Sequence, residues 1–368
     1  MKLSNTLYAL NVKKSLRVAY FGGSITEGGA QYGWRGKTTA WLKERWPEAR
    51  VTEIMAAIGG TGSELGVYRC DTDVVSQAPV LTFVEFAVND SGAQPELTAK
   101  NIEAIVRKLL RANPLMDIVF AYTTTKRIDD ALRAGGSFLS RDADEAVASY
   151  YNIPSVDIGA PLAEAVRAAG GDWLRYTSDT VHPNPDGYAF CAEASIGALT
   201  ALLDAATPDQ PVAHALPAPR TDDLPEDAFL ADASGLCAEI AQPDTSVEQS
   251  WKKLFLTLCH RWPHAIGANR PGAELTIPFR GTAFGLYYMI ASDSGILEWK
   301  IDQGEWRRLN TFDFYAIGFA RAAFVLLDSD LDDAVHTAVL RVCAEKDPQS
   351  AGRWIRIGAL GLRGQAQK

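Results

Sequence analysis

The chain has 368 residues, 47% apolar and 22% charged, with 18 Pro and 30 Gly, which excludes disordered and collagen-like classes. Its formal net charge of -9, from 36 Lys+Arg against 45 Asp+Glu, offers no general basic surface to a phosphate backbone or an anionic membrane. Neither nucleic acid nor membrane is therefore expected as a partner, and at about 150 residues per domain the length implies about two domains.

From Leu16 to Ala206 short apolar runs alternate with longer amphipathic stretches. Strands are predicted at Arg17-Phe21, Val51-Ala57, Val80-Phe86, Ile118-Tyr122 and Ser155-Asp157. Helical spacing marks Lys37-Trp46, Glu64-Ser76, Leu97-Ala112, Asp142-Tyr151, Leu162-Ala169 and Gly187-Leu203. Repeated β-α units of this kind build an α/β/α three-layer sandwich around a parallel five-stranded sheet, expected over residues 1–207. Pro208, Pro211, Pro217, Pro219 and Pro225 then crowd into 18 residues, which predicts an extended linker over 208–225.

Beyond it the helical periodicity is gone. Ser250-Leu258, Glu274-Phe279, Thr282-Ile290, Gly295-Ile301, Ala322-Leu327, Thr337-Cys343 and Trp354-Leu360 are short alternating runs, so residues 226–368 read as an all-β sandwich or jelly roll. Cys70, Cys191, Cys237, Cys259 and Cys343 are scattered, odd in number and contain no CxxC pair, which points to neither a disulfide framework nor a zinc site. Met1 to Asn11 holds no signal-peptide apolar region, and no run of 18 apolar residues occurs. A cytoplasmic location and no cofactor or metal are the expectation.

The first strand runs into Gly22-Gly23-Ser24-Ile25-Thr26, setting a serine at the carboxyl end of a parallel strand, where open sheets bind ligands. Alone, the segment reads as a plain β-α turn with Ser24 as a helix N-cap. A nucleophilic serine needs a base and a third group to orient that base. The first 213 residues contain one histidine, His182, in Ser178-Asp179-Thr180-Val181-His182-Pro183, with Asp179 three residues before it and a helix just after. Acyl transfer also needs donors for the developing oxyanion. Ala57-Ile58-Gly59-Gly60-Thr61-Gly62-Ser63 follows the second strand and Glu85-Phe86-Ala87-Val88-Asn89-Asp90 ends the third, both at the same sheet edge as Ser24.

These four blocks, in this order and spacing, resemble the SGNH (GDSL-like) hydrolase superfamily over about residues 15–205. The resemblance implies Ser24 as nucleophile, Asp179 and His182 as the other triad members, and an oxyanion hole from Ser24 N–H, Gly60 and Asn89. Gly23 stands where the commonest family pattern has Asp; the Gly-Gly-Ser-Ile-Thr form is similar to a branch rich in carbohydrate esterases. It implies a serine esterase acting on small acyl groups, above all O-acetyl, on a small-molecule or oligosaccharide substrate. The alternatives are a lipid or thioester hydrolase of the same mechanism and a catalytically idle carbohydrate-binding protein. Such esterases are commonly homo-oligomers, though no segment of this sequence identifies an interface.

Trp34, ten residues after Ser24, and Trp173, nine before His182, offer flat faces for a sugar ring, Trp34 at the rim of the site and Trp173 in either pocket or core. The second half resembles accessory modules of carbohydrate-active enzymes. At alternating positions its Trp251, Trp262, Trp299, Trp306 and Trp354 are expected mostly in the core. Structural packing and glycan binding both stay open as its role.

Overall fold

Apolar runs fold as strands and the amphipathic stretches between them as helices across residues 1–207, 210–237, 248–256 and 264–364, which the computed structural model describes. The chain forms two units, Met1–Glu226 and Asp227–Lys368.

The first unit opens with α1 (Ser4–Asn11), β1 (Ser15–Gly22), α2 (Ser24–Glu27), α3 (Trp34–Arg45) and β2 (Arg50–Met55). Next come α4 (Ser63–Asp73), β3 (Leu81–Glu85), α5 (Pro95–Ala112), β4 (Asp117–Tyr122), α6 (Lys126–Arg133) and α7 (Leu139–Tyr151). β5 (Ser155–Asp157), α8 (Ala160–Ala168) and α9 (Pro185–Asp204) complete it. The strands form one five-stranded parallel sheet in the order β2-β1-β3-β4-β5. Every residue of β3 and β4 is buried, because helices cover both faces of a parallel sheet. On one face Leu16, Val18, Tyr20 and Phe83 pack with Trp34 and Leu42 of α3, Leu162 of α8 and Leu199 of α9. The helices α4, α5 and α7 pack side by side as a second layer. The order reverses at β1, whose two neighbours are β2 and β3, and that switch point is where such sheets open a crevice at their carboxyl ends.

Helix α1 is absent from the helices the periodicity predicts, because its buried face is partly polar, with Ser4, Asn5 and Thr6 beside Ala9 and Leu10. It is fastened by polar contacts: the buried Asp117 accepts the Thr6 backbone N–H and hydroxyl, each at 2.7 Å. The described part of the proline-rich stretch, 210–225, forms no helix or strand and is laid against the first unit. Asn5 exchanges two bonds of 2.8 Å with the Val212 backbone, and His214 Nε2 lies 2.8 Å from Asp117 Oδ1. Further on, Arg107 donates to the Pro217 carbonyl at 2.7 Å, Arg220 N–H to Glu103 at 2.7 Å, and Glu226 pairs with Arg107 and Arg111.

The second unit contains β6 (Ala228–Asp232), β7 (Lys252–Phe255), β8 (His264–Ala268), β9 (Glu274–Gly281) and β10 (Ala283–Ile290). It continues with β11 (Ile296–Ile301), β12 (Arg307–Asn310), β13 (Arg321–Asp328), β14 (Ala334–Val342) and β15 (Ile355–Arg363). One antiparallel sheet runs β13-β10-β15-β8-β7, with β6 also on β15, and the other runs β12-β11-β14-β9. Phe284, Leu286 and Ile357 of the first sheet and Ile277, Leu297 and Leu340 of the second share one hydrophobic core, the pattern of a sandwich. The strands β6, β8 and β12, four or five residues each, are shorter than the alternating runs that mark the others. Cys259, Trp262 and the end of the predicted strand at 257–258 lie outside the described residues. Among the described residues no helix is long and apolar enough to cross a membrane, and no group of three His, Cys, Asp or Glu could hold a metal ion.

A charged clasp closes the β11 turn onto β14. His336 Nδ1 donates to Asp302 Oδ2 at 2.7 Å and Nε2 to the Asp332 carbonyl at 2.9 Å, so both ring nitrogens are donors. The Asp332 carbonyl and the Asp302 carboxylate raise the His336 pKa above its ordinary value. A raised folded-state pKa stabilises fully below the unfolded histidine value of about 6.5 and loses that contribution as pH rises through the folded value. Thermal unfolding should therefore show His336→Gln lowering Tm more at about pH 5.5 than at about pH 9; an equal loss at both would leave the clasp without a charge component.

Candidate active site

The carboxyl ends of β1, β2 and β3 each give way to a glycine- or asparagine-bearing turn, and all three turns meet. Gly22 pairs with Glu85 in the parallel register of β1 and β3, so the turn after β1 emerges beside the one that carries Asn89. Ser24 is the first residue of α2, and a helix leaves its first backbone N–H groups without internal acceptors. Gly59, after β2, stands against Ser24: a Cβ there would lie 3.5 Å from the serine Cβ and 2.9 Å from Glu27 Oε2. Glu27, on the same helix as Ser24, accepts the Gly59 N–H at 2.7 Å. That bond consumes the Gly59 donor, whereas the Gly60 N–H, at φ +71°, has no acceptor among the described residues.

His182 reaches this point from the loop before α9. Its Nε2 lies 2.8 Å from Ser24 Oγ, and its Nδ1 lies 2.7 Å from Asp179 Oδ2. The other Asp179 oxygen accepts the backbone N–H groups of Val181 and His182 at 3.1 and 2.8 Å. Burial pushes the Asp179 carboxyl up, but these hydrogen bonds and the His182 ring outweigh it and hold the group below its ordinary value. The loop itself is strained and over-determined. Thr180 has φ +68°, its N–H donates to Thr177 Oγ1 at 3.1 Å, and its carbonyl accepts the Lys126 N–H at 3.0 Å. Asn184 caps α9 by accepting from Asp186 and Gly187 N–H, and Pro185 occupies the first turn, so the helix starts at a fixed point three residues after the histidine.

The model of the GDSL-like lipase/acylhydrolase family matches residues 20–190, a span that contains Ser24, Gly60, Asn89, Asp179 and His182. The first unit is a GDSL-like lipase/acylhydrolase domain. By that family the chain is a carboxylic ester hydrolase. Two crystal structures of a two-domain esterase active on acetylated mannans, one co-crystallised with mannopentaose, share the fold. They cover 100% of this chain and 96% of their own, with TM-scores of 0.80 and 0.79 and 21% identity. No protein of curated function matches the sequence.

Of two aromatic residues in the GDSL-like domain, Trp34 corrects the sequence reading and Trp173 takes the core alternative. Trp34 is fully buried, edge-on to Tyr20 and Phe83 at 5.2 and 5.5 Å, and Trp173 is 4% exposed in the same core. Neither presents a face to a sugar, because α3 turns Trp34 onto the sheet; an indole of this size buried in a core contributes about 3–5 kcal/mol. In the second unit Trp251, Trp299 and Trp354 are buried, while Trp306 is half-buried between Arg341 and Lys300 at 3.9 and 5.2 Å.

Two residues of the GDSL-like domain that motif reading passes over hold the site from beneath. Arg69 of α4, 1% exposed, lies over the Phe21 ring at 4.5 Å, donates to the Gly22 carbonyl at 3.0 Å, and also bonds the Ala56 carbonyl. It thereby joins the ends of β1 and β2 just before the Ser24 and Gly60 turns. Asp90 accepts the Ser63 N–H at 2.9 Å, linking the turn after β3 to the start of α4, and burial pushes its carboxyl up to about 6. A buried arginine in an amphipathic helix carries no sequence signal that separates it from an exposed one.

The Gly23 position explains its own departure from the common family residue. A Cβ there would fall 2.0 Å from Asn89 Oδ1, so any side chain must displace the asparagine. With Asn89 in the oxyanion role that the family resemblance implies, Gly23→Asp should lower kcat on 4-nitrophenyl acetate by about tenfold or more even though it restores the commoner residue, since one oxyanion donor is worth about 10²–10³. Unchanged kcat in that variant would show that Asn89 needs no such close approach.

Proposed function

We propose that the protein is a serine esterase that removes small acyl groups, above all O-acetyl, from carbohydrate. The observation that carries the reading is the continuous chain Ser24 Oγ, His182 Nε2, His182 Nδ1 and Asp179 Oδ2, with links of 2.8 and 2.7 Å. In the first half-reaction Ser24 Oγ adds to the ester carbonyl as His182 Nε2 takes its proton. Negative charge develops on the carbonyl oxygen against the N–H groups of Ser24 and Gly60 and the Asn89 side-chain amide. Collapse expels the alcohol, which takes the proton from His182 and leaves an acyl-Ser24. Water then adds to that acyl group while His182 removes its proton, and the acid departs as Ser24 regains its hydrogen. Asp179 accepts from Nδ1–H throughout, fixes the tautomer and stabilises the imidazolium.

The substrate class rests on exposure and on kinship of fold. The side chains of His182 and Asp179 are 40% and 52% exposed, so the leaving-group side of the serine is open enough for a bulky alcohol such as a sugar. The esterase that shares the fold over the whole chain is active on acetylated mannans, which supports an acetylated glycan here.

Hydrolysis of 4-nitrophenyl esters of about two, four and eight acyl carbons tests the reading, with acetate release from acetylated mannan and xylan oligosaccharides measured beside it. The acetyl ester should be cleaved fastest, and Ser24→Ala and His182→Ala should each lower kcat by about 10⁴ or more, Asp179→Asn by about 10²–10⁴. More than about a tenth of wild-type activity in both of the first two variants would overturn the mechanism, and a rate rising with chain length would overturn the acetyl preference.

A further inference from the structure

Beneath the turn that carries Ser24 lies a carboxylate that the proposed chemistry does not use. Glu85, the last residue of β3, is 1% exposed and stands opposite Gly22 in the sheet register. Its two oxygens accept from Thr26 Oγ1 at 2.7 Å and from Thr123 Oγ1 at 2.8 Å, and the Gly23 N–H donates to it as well. Thr26 is two residues after Ser24 and Gly23 one before, so a single carboxylate grips the nucleophile's turn on both sides. Thr123, just past β4, anchors the same carboxylate to the next strand.

Removing a carboxylate from water is costly, and burial pushes the Glu85 carboxyl up to about 7 despite its three donors. The buried Asp90 lies close enough to add to that cost. An apolar strand end would avoid it altogether, so the position needs a compensating role. The Gly22-Gly23 pair supplies the reason. Two successive residues without a Cβ leave the peptides leading into Ser24 free to rotate, and the Ser24 N–H and Oγ are useful only in one orientation.

We propose that Glu85 is the positioning residue of the nucleophile turn: by holding Gly23 N–H and Thr26 Oγ1 together it fixes the peptide before Ser24, aims the Ser24 N–H at the oxyanion and keeps Oγ in line with His182. The inference rests on the serine-esterase reading above. Glu85 touches no reacting atom and acts through Ser24 alone, so its loss affects the rate of attack and leaves ester binding nearly unchanged.

The test compares Glu85→Gln, Thr26→Val and Thr26→Ser with wild type and Ser24→Ala. It reads kcat and KM on 4-nitrophenyl acetate, the rate of Ser24 modification by a fluorophosphonate, and Tm. Glu85→Gln keeps the shape but replaces one acceptor by a donor. It should lower kcat and the modification rate together by about 10- to 100-fold, with KM within about threefold. Thr26→Val, which lacks the hydroxyl, should lower both rates, and Thr26→Ser, which keeps it, should restore them. A purely structural role would lower Tm without slowing the modification of the folded fraction. Wild-type kcat and modification rate in Glu85→Gln overturn the proposal, as does equality of the two Thr26 variants, which decide alone if Glu85→Gln does not fold. A Ser24→Ala enzyme as active as wild type would sink the serine reading and this inference with it. An inactive Ser24→Ala beside an unaffected Glu85→Gln removes the inference only.

Discussion

Parallel pairing of β1 with β3 is the constraint on which the candidate site depends. Because Gly22 lies opposite Glu85, the turn carrying Ser24 and the turn carrying Asn89 leave the sheet side by side. The approach is close: a Cβ on Gly22 would fall 2.5 Å from the Glu85 carbonyl oxygen, and one on Gly23, 2.0 Å from Asn89 Oδ1, would have to displace that side chain. At Gly22 packing against backbone is what calls for glycine. β2, on the far side of β1, brings the turn of Gly59 against Ser24, so three strand ends meet at the serine before the His182 loop is added.

Beneath that assembly the charged groups are buried and hydrogen-bonded in different ways. Arg69 neutralises nothing at the reacting centre; it spends its donors on backbone carbonyls at the ends of β1 and β2 and on Asp73, and lies over Phe21. Glu85 and Asp90 do the converse, accepting backbone N–H and hydroxyl groups from the turns above them, with burial driving both carboxyls upward. The exposed Asp179 moves the other way because its donors outweigh its desolvation. Environment, and not residue type, separates the one acid that faces solvent beside His182 from those that brace the scaffold.

Much of this was legible in the sequence, for physical reasons that can be stated. Buried parallel strands must be apolar throughout, so Arg17-Phe21, Val80-Phe86 and Ile118-Tyr122 announced themselves, and Ser24, Asn89 and His182 each follow a strand or precede a helix. Trp34 did not, since an aromatic in a weakly amphipathic helix fits a core and a pocket equally well; only the packing against Tyr20 and Phe83 decides. Glu85 was illegible because an acid at the end of an apolar run looks like the first polar residue of a loop, and its three donors come from 23, 26 and 123, far apart in sequence. Helix α1 shows no apolar stripe because it buries Ser4, Asn5 and Thr6.

The packed proline-rich stretch alters where the molecule can be divided. A chain stopped at 207 would strip His214 from the buried Asp117, the Arg220 N–H from Glu103, and Glu226 from Arg107, leaving several charged or polar groups of the α/β layer facing water they were never shaped to meet. The seam between the modules therefore falls after Glu226, and a recombination event that exchanged one β-sandwich for another would have to carry the prolines along with the hydrolase, as part of its outer wall.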